Sequence, residues 1–92
     1  MPGDSVEKTF TITNQLGLHL RAAGKLAQLA GKFPASTFIT KDSVEVNGKS
    51  IMGILSLAAA CGTMVTVKCS GPDCEKAMEA IDTLISGRFG EK

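Results

Sequence analysis

Val6-Glu7-Lys8-Thr9-Phe10-Thr11-Ile12-Thr13 alternates along its length, with Val6, Phe10 and Ile12 on one face and Glu7, Thr9, Thr11 and Thr13 on the other. Successive side chains of a strand point to opposite faces, so a period of two with one polar face describes a sheet covered on one side only. Residues 35–41 and Val44–Asn47 read as two further strands, joined tightly around Asp42 as a hairpin, with Val44 and Val46 on one face and Glu45 on the other. Residues 63–70 read as a fourth strand, with Val65, Val67 and Cys69 inward and Thr66 and Lys68 outward.

Between and after these strands the period changes from two to that of a helix. In residues 20–32, Ala23, Leu26, Ala27, Leu29 and Ala30 follow the i, i+3, i+4 rule; Gly31 is the expected stop and Pro34 prevents continuation. Residues 50–58 form a shorter helix with Ile51, Ile54, Leu55 and Ala58 on one face, preceded by the Asn47-Gly48 turn and capped by Ser50. The third helix opens at Ser70-Gly71-Pro72-Asp73, where Pro72 suits a first turn and Asp73 the positive end of the helix dipole. Its stripe is Cys74, Ala77, Met78, Ile81, Leu84 and Ile85, and Gly87 ends it. The order β-α-β-β-α-β-α predicts an α+β fold: a two-layer open-faced sandwich, an antiparallel sheet with three helices on one face.

Ninety-two residues suffice for a single domain, residues 1–92, and are too few for two. Ten basic against nine acidic residues give a net charge of +1, which argues against a nucleic-acid binder working by bulk charge and gives no electrostatic reason to sit on an anionic membrane. The outward strand positions are Thr, Glu and Lys without stacking aromatics, which weighs against RNA on the bare sheet. The opening MPGDSVEKT has no basic stretch leading into an apolar run, and no run is long enough to span a bilayer, so a cytoplasmic protein with no membrane insertion is expected. Cys61, Cys69 and Cys74 are odd in number and lack the close pair of a structural zinc site; they read as small apolar residues in a reducing compartment, with no metal and no cofactor.

The chemistry concentrates in Asn14-Gln15-Leu16-Gly17-Leu18-His19-Leu20-Arg21-Ala22-Ala23. Here the only histidine falls where a strand-to-helix loop turns into the first helix, with Arg21 two residues on. The first amides of a helix have no internal partner and make a ready anion site, and the Arg21 fork suits phosphate oxygens. An imidazole at this point can attack phosphorus and find the resulting anion already met by the Leu20 and Arg21 amides and the guanidinium. Taken alone, the same residues also describe a surface histidine with no task.

Two motifs at matching separation settle the weighing: Gly17-Leu18-His19-Leu20-Arg21-Ala22-Ala23 and Val46-Asn47-Gly48-Lys49-Ser50-Ile51-Met52-Gly53-Ile54-Leu55. With them the sequence resembles, from residue 6 to residue 85, the HPr family of histidine-containing phosphocarriers of the bacterial phosphotransferase system. The resemblance implies a sheet order 1-4-2-3 and phosphorylation of His19 on its δ nitrogen by enzyme I, which draws on phosphoenolpyruvate. It also implies a phosphate steadied by Arg21 and the first helix amides, and enzyme IIA domains as acceptors in sugar uptake. A monomer is expected. The family commonly reads His-Ala-Arg-Pro-Ala, whereas this chain has Leu20 for the first Ala and Ala22 for Pro. Ala restores an N–H and remains the best helix former, so the helix should survive. Leu20 sets a larger apolar group beside the histidine, which bears on partner choice.

Ser50 is well placed as an N-cap in any reading; the resemblance adds that it matches a regulatory site for HPr kinase/phosphorylase. A phosphate there would put a charge of roughly −2 beside an apolar surface. The short helix cannot bury all its apolar residues: Ile54 and Ala58 are expected to face the sheet, leaving Met52 and part of Ile51 or Leu55 exposed as a docking surface with Leu20. Gly48-Lys49-Ser50 is not a P-loop, since Ser43 stands where the first Gly would be. The competing functions are a nitrogen-branch regulatory phosphocarrier and a non-catalytic protein-interaction domain. A hydrolase or acid–base enzyme lacks its constellation, because no paired carboxylates flank His19 and no nucleophile–base pair is evident.

Overall fold

The computed structural model describes residues 4–91. Its elements run β1 (Ser5–Thr11), α1 (Leu20–Ala30), β2 (Ser36–Lys41), β3 (Val44–Asn47), α2 (Ile51–Ser56), β4 (Met64–Ser70) and α3 (Cys74–Ser86), followed by a single 3-10 turn, Arg88–Gly90. The four strands form one antiparallel sheet in the order β1-β4-β2-β3, with the three helices on one face, as the alternation in residues 6–13 and the family resemblance lead one to expect. Among the described residues no helix is long and apolar enough to cross a membrane.

Register explains the core. Phe10 pairs with Val65 and Val6 with Cys69 across β1 and β4, while Ile39 pairs with Val67 across β2 and β4, so the inward face is mostly apolar, with buried Thr37 beside Cys69 and Lys8 beside Val67 as its polar members. Against it the helices bring Leu26, Ile54 and Ile81, all fully buried, and each such side chain contributes about 1.5–3 kcal/mol by leaving water. The β2–β3 hairpin turns on Asp42 and Ser43, both with positive φ (48° and 71°), the signature of the two-residue turn that matches strand twist. Lys8 is an inward-pointing charge on edge strand β1. Its ammonium stands 5.5 Å over the Phe10 ring and reaches Asp82 of α3, an arrangement that discourages edge-to-edge pairing.

Two expectations about local structure are corrected and a third is refined. The short helix stops at Ser56, two residues early, and Ala58 adopts a left-handed φ of 50° and lies exposed; Leu57 turns inward in its place beside Ile54. Pro72 sits in the turn ahead of α3 and not in its first turn. Asp73 is the N-cap, in a left-handed conformation (φ 63°) with no side-chain capping bond, so it acts on that terminus by charge alone. Gly31 does end α1, but with right-handed dihedrals (φ −65°, ψ −15°), so the stop relies on Pro34 more than on glycine's freedom.

The connection from β1 to α1 is clamped onto the segment that follows α2. Ile12 exchanges backbone bonds with that segment, its N–H donating to Thr63 O (2.8 Å) and its carbonyl accepting from Gly62 N–H (2.7 Å). Leu18 N–H donates to Ala59 O at 2.9 Å. Gly17 passes over this point with φ +68°, and a Cβ there would lie 2.5 Å from Ala59 O and 2.9 Å from Ala60 Cα. Both contacts are backbone, so neither can swing away. Gly17→Ala therefore should cost about 2 kcal/mol or more, read as a lower urea midpoint at unchanged m-value. Asp82 predicts a pH effect. The hydrogen bond from Lys8, then that from Ser86, holds its carboxyl below the ordinary 3.8. As pH falls the unfolded chain takes up that proton first, so the stabilisation is complete above the ordinary value and is lost as pH falls through the folded one. Asp82→Asn should accordingly flatten the fall of the urea midpoint below about pH 4.

Candidate functional site

His19 is the N-cap of α1, with extended backbone (φ −76°, ψ −179°). Capping normally falls to Ser, Thr, Asp or Asn, whose oxygen accepts from the second or third helical amide. Here the acceptor is a ring nitrogen: Nδ1 of His19 takes the N–H of Arg21 at 3.3 Å. The helix forms without the proline usual in the family, and Ala22, which replaces it, is fully buried.

The other ring nitrogen is also engaged. Nε2 of His19 meets the Glu91 carboxylate, whose second oxygen accepts from Asn14 Nδ2 at 3.2 Å. The same Nδ2 donates to Gly17 O at 2.7 Å, so one buried amide ties together the loop before His19 and the carboxylate beside it. With Nδ1 accepting from a backbone amide, the neutral ring carries its proton on Nε2 and donates it to Glu91. The Glu91 carboxyl is held below the ordinary carboxylate value chiefly by its bond with His19; Asn14 adds to this while desolvation opposes it. Asn14 Oδ1 is the buried side-chain polar atom left without a partner among the described residues.

Glu91 arrives from far along the chain. After α3 ends at Gly87, residues Arg88, Phe89 and Gly90 all take positive φ (57°, 57° and 79°), which turns the chain back toward α1. Phe89 is fully buried and anchors that turn, and Lys25 Nζ of α1 donates to its carbonyl at 2.6 Å. Sequence reasoning missed Asn14, Phe89 and Glu91. A large aromatic just beyond a helix stop was the one available hint, while nothing in linear order ties Glu91 to a histidine 72 positions away.

His19 therefore lies half-buried in a depression lined by Leu16, Leu20, Arg21 and Glu91. Leu16 and Leu20 are 68% and 66% exposed at its rim, and Arg21 is exposed. Arg21 also lines an adjoining groove between α1 and α2 together with Lys25, Lys49 and Ile51. The expected docking residues thus separate. Leu20 and Ile51 join the two depressions around Arg21, whereas Met52, 74% exposed, and half-buried Leu55 line neither. Ser50 is the N-cap of α2, its Oγ accepting from Gly53 N–H at 3.0 Å.

Comparison with known proteins places the chain in a family. The family model described as the PTS HPr component phosphorylation site covers residues 6–87. The chain is 46% identical over 86 residues to phosphocarrier protein HPr of Cupriavidus necator, spanning 94% of this chain and 97% of that one. Phosphocarrier protein NPr of Shewanella violacea is 38% identical over 94% of each chain. The crystal structure of HPr-C-His from Thermoanaerobacter tengcongensis superposes with a TM-score of 0.92 at 42% identity, covering 95% of this chain and 98% of that one. With the sheet order, the residue span and the relatives in agreement, the chain belongs to the HPr phosphocarrier family of the phosphotransferase system.

Proposed function

We propose that this protein carries a phosphoryl group on Nδ1 of His19, received from enzyme I and passed to enzyme IIA-type acceptors in sugar uptake. One observation carries the proposal. The ring caps a helix with Nδ1 turned toward the Arg21 amide, while Nε2 is held elsewhere by Glu91. The nitrogen that keeps its lone pair is thus the one beside the positive end of α1. When Nδ1 bonds to phosphorus, the Arg21 amide passes from the ring to a phosphate oxygen, and the exposed guanidinium closes on the others. Helix-terminus stabilisation of about 0.3–1 kcal/mol, or ~2 when partly buried, holds such an anion without trapping it.

Enzyme I and enzyme IIA domains dock, on this reading, over the apolar rim of Leu16 and Leu20 and the exposed Ile51 and Met52 of α2, with Leu55 beneath. The protein works as a monomeric single domain in the cytoplasm. Phosphorylation of Ser50 by HPr kinase/phosphorylase keeps an acceptor oxygen at the α2 N-cap but sets a dianion beside Ile51 and Met52, which obstructs enzyme I. A second reading, a nitrogen-branch carrier, is favoured by the similarity to NPr; it keeps the chemistry of His19 and changes only the donor and acceptor.

Incubation with enzyme I and labelled phosphoenolpyruvate should place an acid-labile, alkali-stable label on the wild type and none on His19→Ala. Absence of label on the wild type with both sugar-branch and nitrogen-branch enzyme I would refute the carrier. In the same assay Ser50→Asp should be labelled at least tenfold more slowly, about 1.4 kcal/mol in the transition state; an unchanged rate would remove Ser50 from the account.

A further inference from the structure

We infer that Glu91, fixed by Asn14, is a positioning residue for phosphoryl transfer: it holds the Nε2 proton of His19 so that Nδ1 is the nucleophile, and it faces the charge the ring acquires. The inference rests on the reading of His19 as the phosphoryl acceptor. It starts from the line Asn14 Nδ2, Glu91 carboxylate, His19 Nε2, in which the first member is almost fully buried and the others are 17% and 26% exposed at their side chains.

The step balances without an added reactant. The Nδ1 lone pair forms a bond to phosphorus as the donor's bond to phosphorus breaks, and that electron pair returns to the donor. No proton leaves Nε2. The His19 ring, neutral before, becomes a phosphoimidazolium cation with its positive charge delocalised toward Nε2, where the Glu91 carboxylate lies. In the reverse sense, a ring that keeps its Nε2 proton departs as neutral imidazole and not as an anion, which eases transfer to the next acceptor. Glu91 touches neither phosphorus nor Nδ1, so its role is exerted through the ring, as a carboxylate orients a histidine in hydrolytic triads.

Two further features make the contact more than a passing surface pair. Exposed ion pairs contribute little because both side chains must be ordered for the purpose. Here the order is supplied in advance by the buried Phe89, the three left-handed residues 88–90, and the Lys25 bond to the Phe89 carbonyl. Asn14 also leaves Oδ1 buried without a partner, a cost that an apolar residue would avoid. Its Nδ2 offsets that cost by holding Gly17 O and Glu91 at once, the two groups on either side of the histidine.

The test compares wild type, Glu91→Gln and Glu91→Ala, each with nitrogen-15 in its histidine. Glutamine can still accept the Nε2 proton but carries no charge. In the unphosphorylated protein the Nε2 proton should exchange slowly with water in the wild type, faster in Glu91→Gln, and too fast to observe in Glu91→Ala. With enzyme I and phosphoenolpyruvate, kcat for labelling should fall roughly ten- to a hundredfold in Glu91→Ala, the range for losing a hydrogen bond to a charged group, and less in Glu91→Gln. Label on the wild type with an unchanged kcat for Glu91→Ala overturns this inference alone. A change confined to KM overturns it too, since the tail would then serve docking. No label on the wild type overturns the acceptor reading, and this inference with it.

Discussion

Everything about this site depends on what the two nitrogens of one imidazole are each bonded to. His19 stands at the first turn of α1 with Nδ1 facing an amide and Nε2 facing a carboxylate. A neutral imidazole has one donor and one acceptor nitrogen, so satisfying both leaves no freedom of tautomer or ring rotation. The β1–α1 connection has to deliver the ring to this position within about half an ångström if the geometry is to serve transfer. Gly17 and Leu18 do so by pressing the backbone onto Ala59, and the sheet order makes that possible by pairing β1 with β4, the strand that follows the Ala59 segment. The fold is in that sense a device for bringing the loops that follow β1 and α2 against each other.

Most of the architecture was legible because it obeys short-range periodicity. The alternation of Val6, Phe10 and Ile12 states that one face of the sheet is bare, and the period of 3.6 in α1 and α3 states which faces cover the other. Where the reading slipped, a backbone conformation absent from the residue pattern had taken over. Ala58 and Asp73 both sit at positive φ, which a non-glycine residue seldom adopts and which no periodicity reveals. Leu57 in place of Ala58 on the inner face follows directly from α2 ending at Ser56.

The site was half legible for the same reason. Gly17, His19, Arg21 and Ser50 are local: a loop glycine, a residue at a helix start and the amides after it can be placed from neighbours alone. Asn14 and Glu91 take their meaning from a contact across 77 positions, made only because Phe89 folds the end of α3 back over α1. The departures at Leu20 and Ala22 can now be separated. Ala22 is buried in the helix, which forms without the usual proline, whereas Leu20 is exposed at the rim of the depression.

The central claim is that Nδ1, and not Nε2, receives the phosphoryl group because Glu91 holds the proton on Nε2. Phosphorus–nitrogen correlation by NMR on the phosphorylated, nitrogen-15-labelled protein reads this directly. The account predicts coupling of phosphorus to Nδ1 with the proton still on Nε2. Coupling to Nε2 would contradict it, since that nitrogen would then have to leave Glu91 and expose the phosphate to a carboxylate instead of a helix terminus.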